Sequence, residues 1–239
     1  MNKQTFTTQK LEKGEINVYD FGTIKLHAYK TEDLMSDEVF ILEKNGQSVI
    51  IESPCFLDNE SALEKYVQNL NVVGMLIAYH AAGGKFLFSV KKYSTQSAKN
   101  YAENGGGRAL IDNFTKAFGE VFDNTLHNIT DIISSGKITI GGIDFVISPN
   151  DEAFDIEIPE INVVYTHMMG HDCHSIVSGK SHLQAIISQL QNYINKGVNF
   201  ILTSHYTPED LKDAETKIEY LKTLEKLAKE SETSKEFKE

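Results

Sequence analysis

Gly74-Met75-Leu76-Ile77-Ala78-Tyr79-His80 reads as a buried strand that ends in a histidine. Two later stretches repeat the shape: Asn162-Val163-Val164-Tyr165-Thr166-His167 and Asn199-Phe200-Ile201-Leu202-Thr203-Ser204-His205. Each is an apolar run of strand length and strand composition. Each closes on a tyrosine or hydroxyl residue, then His, then a break: Ala81-Ala82-Gly83-Gly84, Met168-Met169-Gly170 and Tyr206-Thr207-Pro208. In layered α/β folds, ligand groups sit at the carboxyl ends of strands. Three imidazoles at three such ends are expected to converge on one point, although they lie far apart in the chain.

Working outward, Glu38 to Glu43 and Gln47 to Glu52 flank Lys44-Asn45-Gly46. Asn-Gly between apolar runs is a strong hairpin signal. Asn59 reads as the N-cap of an amphipathic helix over 61–70. A strand, a helix and then a continuously apolar strand describe a buried α/β unit. Upstream, 16–22 and 23–29 alternate apolar and polar around a turn at Gly22, with His27 as a packed or surface residue. Residues 1–14 are polar, an edge strand or a frayed start. Downstream of His80, 85–90 reads as a short strand, and 95–103 and 108–122 as helices.

The triple glycine Gly105-Gly106-Gly107 has no strand before it and no Lys-Ser/Thr after it. A helix cap or loop explains it better than a phosphate cradle. From Ile129, short antiparallel strands return at 132–133, 137–140, 143–147 and 154–158, with glycine turns at Gly136 and Gly141-Gly142. Residues 181–196 place Leu183, Ile186, Ile187, Leu190 and Ile194 on one helical face. Thr207 and Pro208 read as N-cap and first position of a last helix. His127 and His182 fall on expected helices and face solvent. The chain is read as one domain over 1–239. Its halves, about 1–125 and 126–239, share one plan: strands, helix, then a strand ending in His.

Composition narrows the function classes. The 239 residues carry a formal charge of −11 and are 41% hydrophobic. That is enough apolar content for a sizeable core. A surface this acidic repels polyanions, so nucleic acid is not an expected partner. Arg108 is the only arginine among the 23 basic residues, so arginine clamps on phosphates are nearly absent. Two cysteines, Cys55 and Cys173, are too few for a disulfide framework. No apolar run approaches the roughly 20 residues that span a bilayer. The expectation is a cytoplasmic protein without membrane contact.

This plan resembles the metallo-β-lactamase fold, the αββα sandwich of the metallo-hydrolase superfamily, over most of the chain. The hairpin from Glu38 to Glu52 looks like the family's opening strands. His80 stands where the HxHxDH motif begins, and Gly83-Gly84 follow as glycines do there. The stretch Gly136 to Pro149 resembles the paired strands that lead to the third-histidine loop. Glu157 to His167 resembles the strand that delivers the bridging aspartate, and Thr203-Ser204-His205 matches the final histidine. The motif departs from the family: its later ligand positions fall on Ala82, Gly84 and Lys85. The third-histidine loop reads Ser148-Pro149-Asn150-Asp151, and His167 takes the bridging-aspartate position.

The resemblance implies a hydrolase of a small ester, thioester, lactone or phosphoester acting through a remodelled mononuclear site. The ion would be zinc, iron or manganese, or absent. Candidate metal ligands are His80, His167 and His205, with His171, Asp172 and His174 from the donor-rich run after His167. Candidate catalytic residues are His167, paired with Asp151 or Asp172 as a general base, and Lys85, whose ammonium stands at a former ligand position. A Cys173/His174 nucleophile pair is disfavoured, because adjacent residues rarely point at each other. The other readings are a non-catalytic ligand-binding or sensing protein that has lost the family's metals, and a subunit that self-associates as a homo-oligomer.

Overall fold

Strand β4 (Glu38–Lys44) shows how the sequence sets the layers. Side chains alternate across a strand with a period of two. Phe40 and Leu42 therefore enter one core, while Val39 and Ile41 enter another beneath helix α1 (Leu57–Val67). The computed structural model describes residues 5–167, 174, 177–205 and 208–233. In the first sheet, β1 (Phe6–Lys10), β2 (Glu15–Asp20), β3 (Lys25–Lys30), β4 and β5 (Gln47–Ile51) run antiparallel in chain order. Then β6 (Val72–Leu76), β7 (Lys92–Thr95) and β8 (Asp131–Ile133) add parallel strands. The β4–β5 turn takes its shape from Asn45 (φ 50) and Gly46 (φ 74), the two left-handed residues that a tight hairpin needs.

The second sheet runs β13-β12-β11-β10-β9. Its members are β9 (Gly136–Ile140), β10 (Ile143–Pro149), β11 (Phe154–Ile158), β12 (Val163–Thr166) and β13 (Phe200–Thr203). Only β12 and β13 pair in parallel, joined through helix α4 (Lys180–Lys196). Inward residues of both sheets, among them Leu26, Phe40, Ile51 and Leu76 against Phe145, Phe154, Ile156 and Leu202, form the central core. Each such side chain contributes about 1.5–3 kcal/mol on burial. Outward Val164 and Ile201 pack on Leu190 and Tyr193 of α4 and on Leu211, Ile218 and Leu221 of α5 (Leu211–Thr233). Helices outside two face-to-face sheets make the αββα sandwich read from the sequence.

Several local readings need correction. Residues 85–90 are turns, not a strand: Phe86 and Val90 donate back to the carbonyls of Gly83 and Leu87. The strand follows at Lys92. Helix α1 starts at Leu57, so Asn59 lies inside it, buried. Its amide Nδ2 donates to the Tyr29 hydroxyl and the Thr31 carbonyl, and its Oδ1, the atom that would cap a helix, accepts no hydrogen bond. Gly105 closes α2 (Gln96–Asn104) and opens α3 (Gly106–Phe118), so the triple glycine is a helix junction. α5 begins at Leu211 rather than Pro208. Asp210 Oδ1 accepts from the Lys212 and Asp213 N–H groups, and Glu209 is held in a bridge with Ile201. Thr207 lies outside the described residues. His127 is neither helical nor exposed: it is 8% exposed, in the extended segment before β8. His182 is exposed on α4, as expected.

Parallel pairing positions the site. Ile51 pairs with Leu76, so Glu52 and Ile77–His80 leave the first sheet at the same end. Thr166 pairs with Thr203, so His167 and Ser204-His205 leave the second sheet side by side. A bridge between Asp37 and His205, with Glu38 N–H donating to the Ser204 carbonyl (2.9 Å), ties the end of β13 to the start of β4.

Candidate active site: a histidine cluster between the sheets

The three strand ends bring their imidazoles together. The His205 ring centroid lies 6.0 Å from that of His80 and 5.3 Å from that of His167. His80 is fixed from behind. Its Nδ1 faces the Ser53 carbonyl oxygen at 2.8 Å, so Nδ1 carries a proton and donates. Its Nε2 is buried without a hydrogen-bond partner. Glu52, wholly buried, accepts from the N–H groups of Ala78 (3.2 Å), Tyr79 (2.7 Å) and His80 (3.0 Å) and from the Tyr165 hydroxyl (2.7 Å). Burial pulls the His80 pKa down, but the Glu52 and Asp37 carboxylates outweigh it and the net shift is upward.

His205 Nδ1 stands 3.0 Å from Asp37 Oδ1 and 3.2 Å from the Met35 carbonyl. With two acceptors before it, Nδ1 holds the proton. Asp37 is 1% exposed, and its other oxygen receives the Cys55 thiol at 3.2 Å. Burial opposes its ionisation, yet His80, His205 and the Cys55 hydrogen bond hold it below the usual carboxylate range. The same burial, with the Asp37 charge beside it, pushes the Cys55 thiol well up, so Cys55 acts as a donor and not as a thiolate.

His167 is half-buried and stacks on the Tyr79 ring at 4.8 Å with planes 10° apart. Burial, with His205 and His80 close by, lowers its pKa to about 3, so the ring is neutral. Tyr79 is held in turn by Asp155, which accepts from the hydroxyls of Tyr79 (2.7 Å) and Thr166 (2.7 Å) and from the Gln189 amide (2.9 Å). That network locks the stacking surface to β11, β12 and α4.

The other residues singled out from the sequence lie elsewhere. Lys85 turns to Asp123 (3.4 Å), with its side chain 59% exposed. Asp151 is exposed in the β10–β11 turn. Asp155, from the same hairpin, is the carboxylate that reaches the histidine side. His174 pairs with Tyr220 of α5 at 2.8 Å, on the outer face of the second sheet. His171, Asp172 and Cys173 lie outside the described residues. Asp37, Glu52 and Tyr79 went unread as site residues. Glu52 carries the signal that found the histidines, a polar residue directly after a buried strand. Asp37 carries none, since it precedes its strand.

The family's own ligand motif is broken at its later positions. At the later motif positions, Ala82 and Gly84 offer no donor, and the Lys85 ammonium is engaged by Asp123. A Cβ on Gly84 would sit 2.2 Å from the Leu126 carbonyl oxygen, and one on Gly83 2.1 Å from that of Pro54. The loop has no room for ligand side chains there. As the side chains stand, no group of three or more His, Cys, Asp and Glu residues among the described residues could hold a metal ion.

A concavity of about 620 Å³ lies at the opposite end of β6, between α1 and Leu87–Val90, away from this chemistry. No helix of the described residues is long and apolar enough to cross a membrane.

No family model matches the chain, and no curated protein is significantly similar to it. Solved structures are. A metallo-β-lactamase from Erythrobacter litoralis, with β-mercaptoethanol in its active site, aligns at TM-score 0.60 and 10% identity, over 91% of this chain and 100% of that one. The mono-zinc form of a metallo-β-lactamase from Pseudomonas aeruginosa aligns at TM-score 0.58 and 10% identity, over 93% and 97%. A sec-alkyl sulfatase double mutant gives TM-score 0.61 at 15% identity; the match covers 89% of this chain and 42% of the sulfatase. At such identities the likeness speaks for architecture alone, and it agrees with the layers and strand order above: this chain has the metallo-β-lactamase fold.

Proposed function

We propose that the histidine cluster is a hydrolytic site for a small ester, thioester, lactone or phosphoester, worked by the chain's own acid–base groups. The observation that carries this is the buried Asp37–His205 pair, 3.0 Å apart, with the His80 ring 6.0 Å away. A carboxylate that orients an imidazole leaves the far nitrogen as a positioned base. His205 Nε2 takes a proton from the attacking water. His80, drawn toward its charged form by Glu52 and Asp37, stabilises negative charge on the substrate oxygen and returns a proton to the leaving group. Neutral His167, on its Tyr79 platform, forms the wall of the cleft and accepts a substrate hydrogen bond.

The test is a hydrolase screen across the four substrate classes with and without chelator, alongside elemental analysis of untagged protein. Chelator-insensitive turnover that disappears in His205→Asn supports the assignment. Asn keeps a donor toward Asp37 but has no basic nitrogen. A stoichiometric zinc, iron or manganese ion, lost in a His80→Ala/His205→Ala double variant, would replace it with the mononuclear reading. Ligand binding without turnover in any class would leave a binding or sensing protein.

A further inference from the structure

The loops around the histidine cluster share a charge pattern. Strand directions bring to that end residues 31–37 before β4, 52–56 after β5, 77–84 after β6, 148–155 at the β10–β11 turn, 166–179 after β12 and 203–210 after β13. None of these stretches contains lysine or arginine, and all but 77–84 contain Asp or Glu. Lysines close to them are engaged elsewhere: Lys85 by Asp123, Lys99 by Glu103, and the buried Lys92 by the carbonyls of Gly84 and Phe86. Inside, the buried carboxylates of Asp37 and Glu52 lie against His205 and His80. Asp155, which holds Tyr79, receives its three hydrogen bonds from uncharged donors. His80 is the group of the cluster drawn toward positive charge, and two carboxylates already claim that charge.

This distribution separates the substrate classes. A phosphoryl group brings charge to a site before it reacts and spreads it over its oxygens in the transition state, so phosphoryl-transfer sites neutralise it with fixed cations. A carbonyl ester arrives uncharged and gathers one negative charge on one oxygen, which a single imidazolium can hold. An anion entering this cleft meets carboxylates of its own sign, and a cleft lined by one sign of charge focuses that field. On the hydrolytic reading of the cluster, on which this rests, we infer that the cleft selects its substrate by charge. It takes uncharged carbonyl esters (oxoester, thioester or lactone) and turns away phosphoesters and acyl groups that carry a carboxylate or phosphate. The neutral His167 ring stacked on Tyr79 offers such a substrate an uncharged aromatic surface. In the reaction the oxygen of water bonds the carbonyl carbon and the bond to the leaving oxygen or sulfur breaks. One proton passes from the water to the leaving group by way of the histidines.

Three p-nitrophenyl substrates with one leaving group test this: the hexanoate, the adipate monoester, which has the same acyl length but ends in a carboxylate, and the phosphate. The hexanoate is expected to turn over, with kcat/KM for the adipate about 10²-fold lower, the scale of one like charge held close in a partly buried site. The phosphate is expected to stay intact. Added salt should narrow the hexanoate-to-adipate ratio, because it screens charge and leaves steric fit alone. Glu152 is exposed in the β10–β11 turn and borders one small cavity with Tyr79 and His80. Glu152→Lys should narrow the ratio several-fold with the hexanoate rate unchanged. Equal turnover of the two acyl esters, turnover of the phosphate in preference to them, or a ratio that salt does not move overturns charge selection and leaves the hydrolytic reading standing. No turnover of any of the three sinks the hydrolytic reading and this proposal with it. The salt series on wild-type protein decides even if Glu152→Lys does not fold.

Discussion

The ends of β6 and β13 are alike in that a buried strand delivers a histidine, and they differ in what holds that histidine. At Ser204 and His205 the chain is stitched to Asp37 and the start of β4, and the His205 imidazole lies on the Asp37 carboxylate. Beyond His80 the chain closes on itself. Gly83 and Gly84 N–H groups donate to the carbonyls of Asp123 and Thr125, and Lys85 N–H donates to Asp123 Oδ2 at 2.9 Å. The buried Lys92 ammonium donates to the carbonyls of Gly84 (3.2 Å) and Phe86 (2.9 Å). The Gly83, Gly84, Lys85 and Phe86 backbone groups of that turn find protein partners close at hand. The difference teaches that a strand end only presents a residue. The backbone that follows decides whether the place stays open for a ligand or is filled by the fold.

The comparison can be broken in four ways. The largest effect is expected on the open side. His205→Asn should lower hydrolysis by about 10²–10⁴-fold, the range for losing a positioned base, with the circular dichroism spectrum unchanged. Retained activity would mean that the Asp37–His205 pair is structural. On the closed side, Gly84→Asp restores a carboxylate where the family pattern has one. It should destabilise by about 3 kcal/mol, since overpacking against backbone cannot relax, and denaturant midpoints with and without added zinc measure it. A stable, metal-loaded variant would refute the filled-loop account.

Acid stability sharpens the contrast between paired and unpaired histidines. His127 is held neutral, its pKa lowered to about 3 mainly by burial and the nearby Lys92 charge. The unfolded chain therefore binds a proton at this residue between roughly pH 6.5 and 3 that the folded chain does not. Stability should fall as pH drops through that window, by about 1.4 kcal/mol per pH unit. His167, lowered for the same reason but half open to solvent, adds a smaller slope. His127→Phe should flatten the dependence, measured by urea denaturation across that range. The smallest effect belongs to Lys85. Lys85→Ala removes an ion pair whose cation is largely exposed, and should change stability by under about 1 kcal/mol and turnover hardly at all. A large loss of turnover would place Lys85 in the cleft after all.

The sequence by itself determined the layers, because period-two burial in β4, the Asn45-Gly46 turn and the apolar face of α4 are local patterns that water reads directly. It also determined which strands end in histidine. Start points such as Leu57 and Leu211 escaped it, because Asn59 and Thr207 are both good caps by type. Only the packed neighbours Tyr29 and Thr31 claim the Asn59 amide. Tertiary structure alone decided the chemistry of the cluster. Asp37 and His205 are 168 residues apart in sequence and 3.0 Å apart in space. No window of sequence contains both, and the orienting carboxylate of a base is a long-range partner set by how two sheets meet. For the same reason Lys85 and Asp151, which sit where the family pattern has ligands, ended in other company. A backbone turn fixed by Gly83, Gly84 and Asp123 aimed the first at Asp123, and the second stayed in solvent beside Asp155, the residue that faces inward.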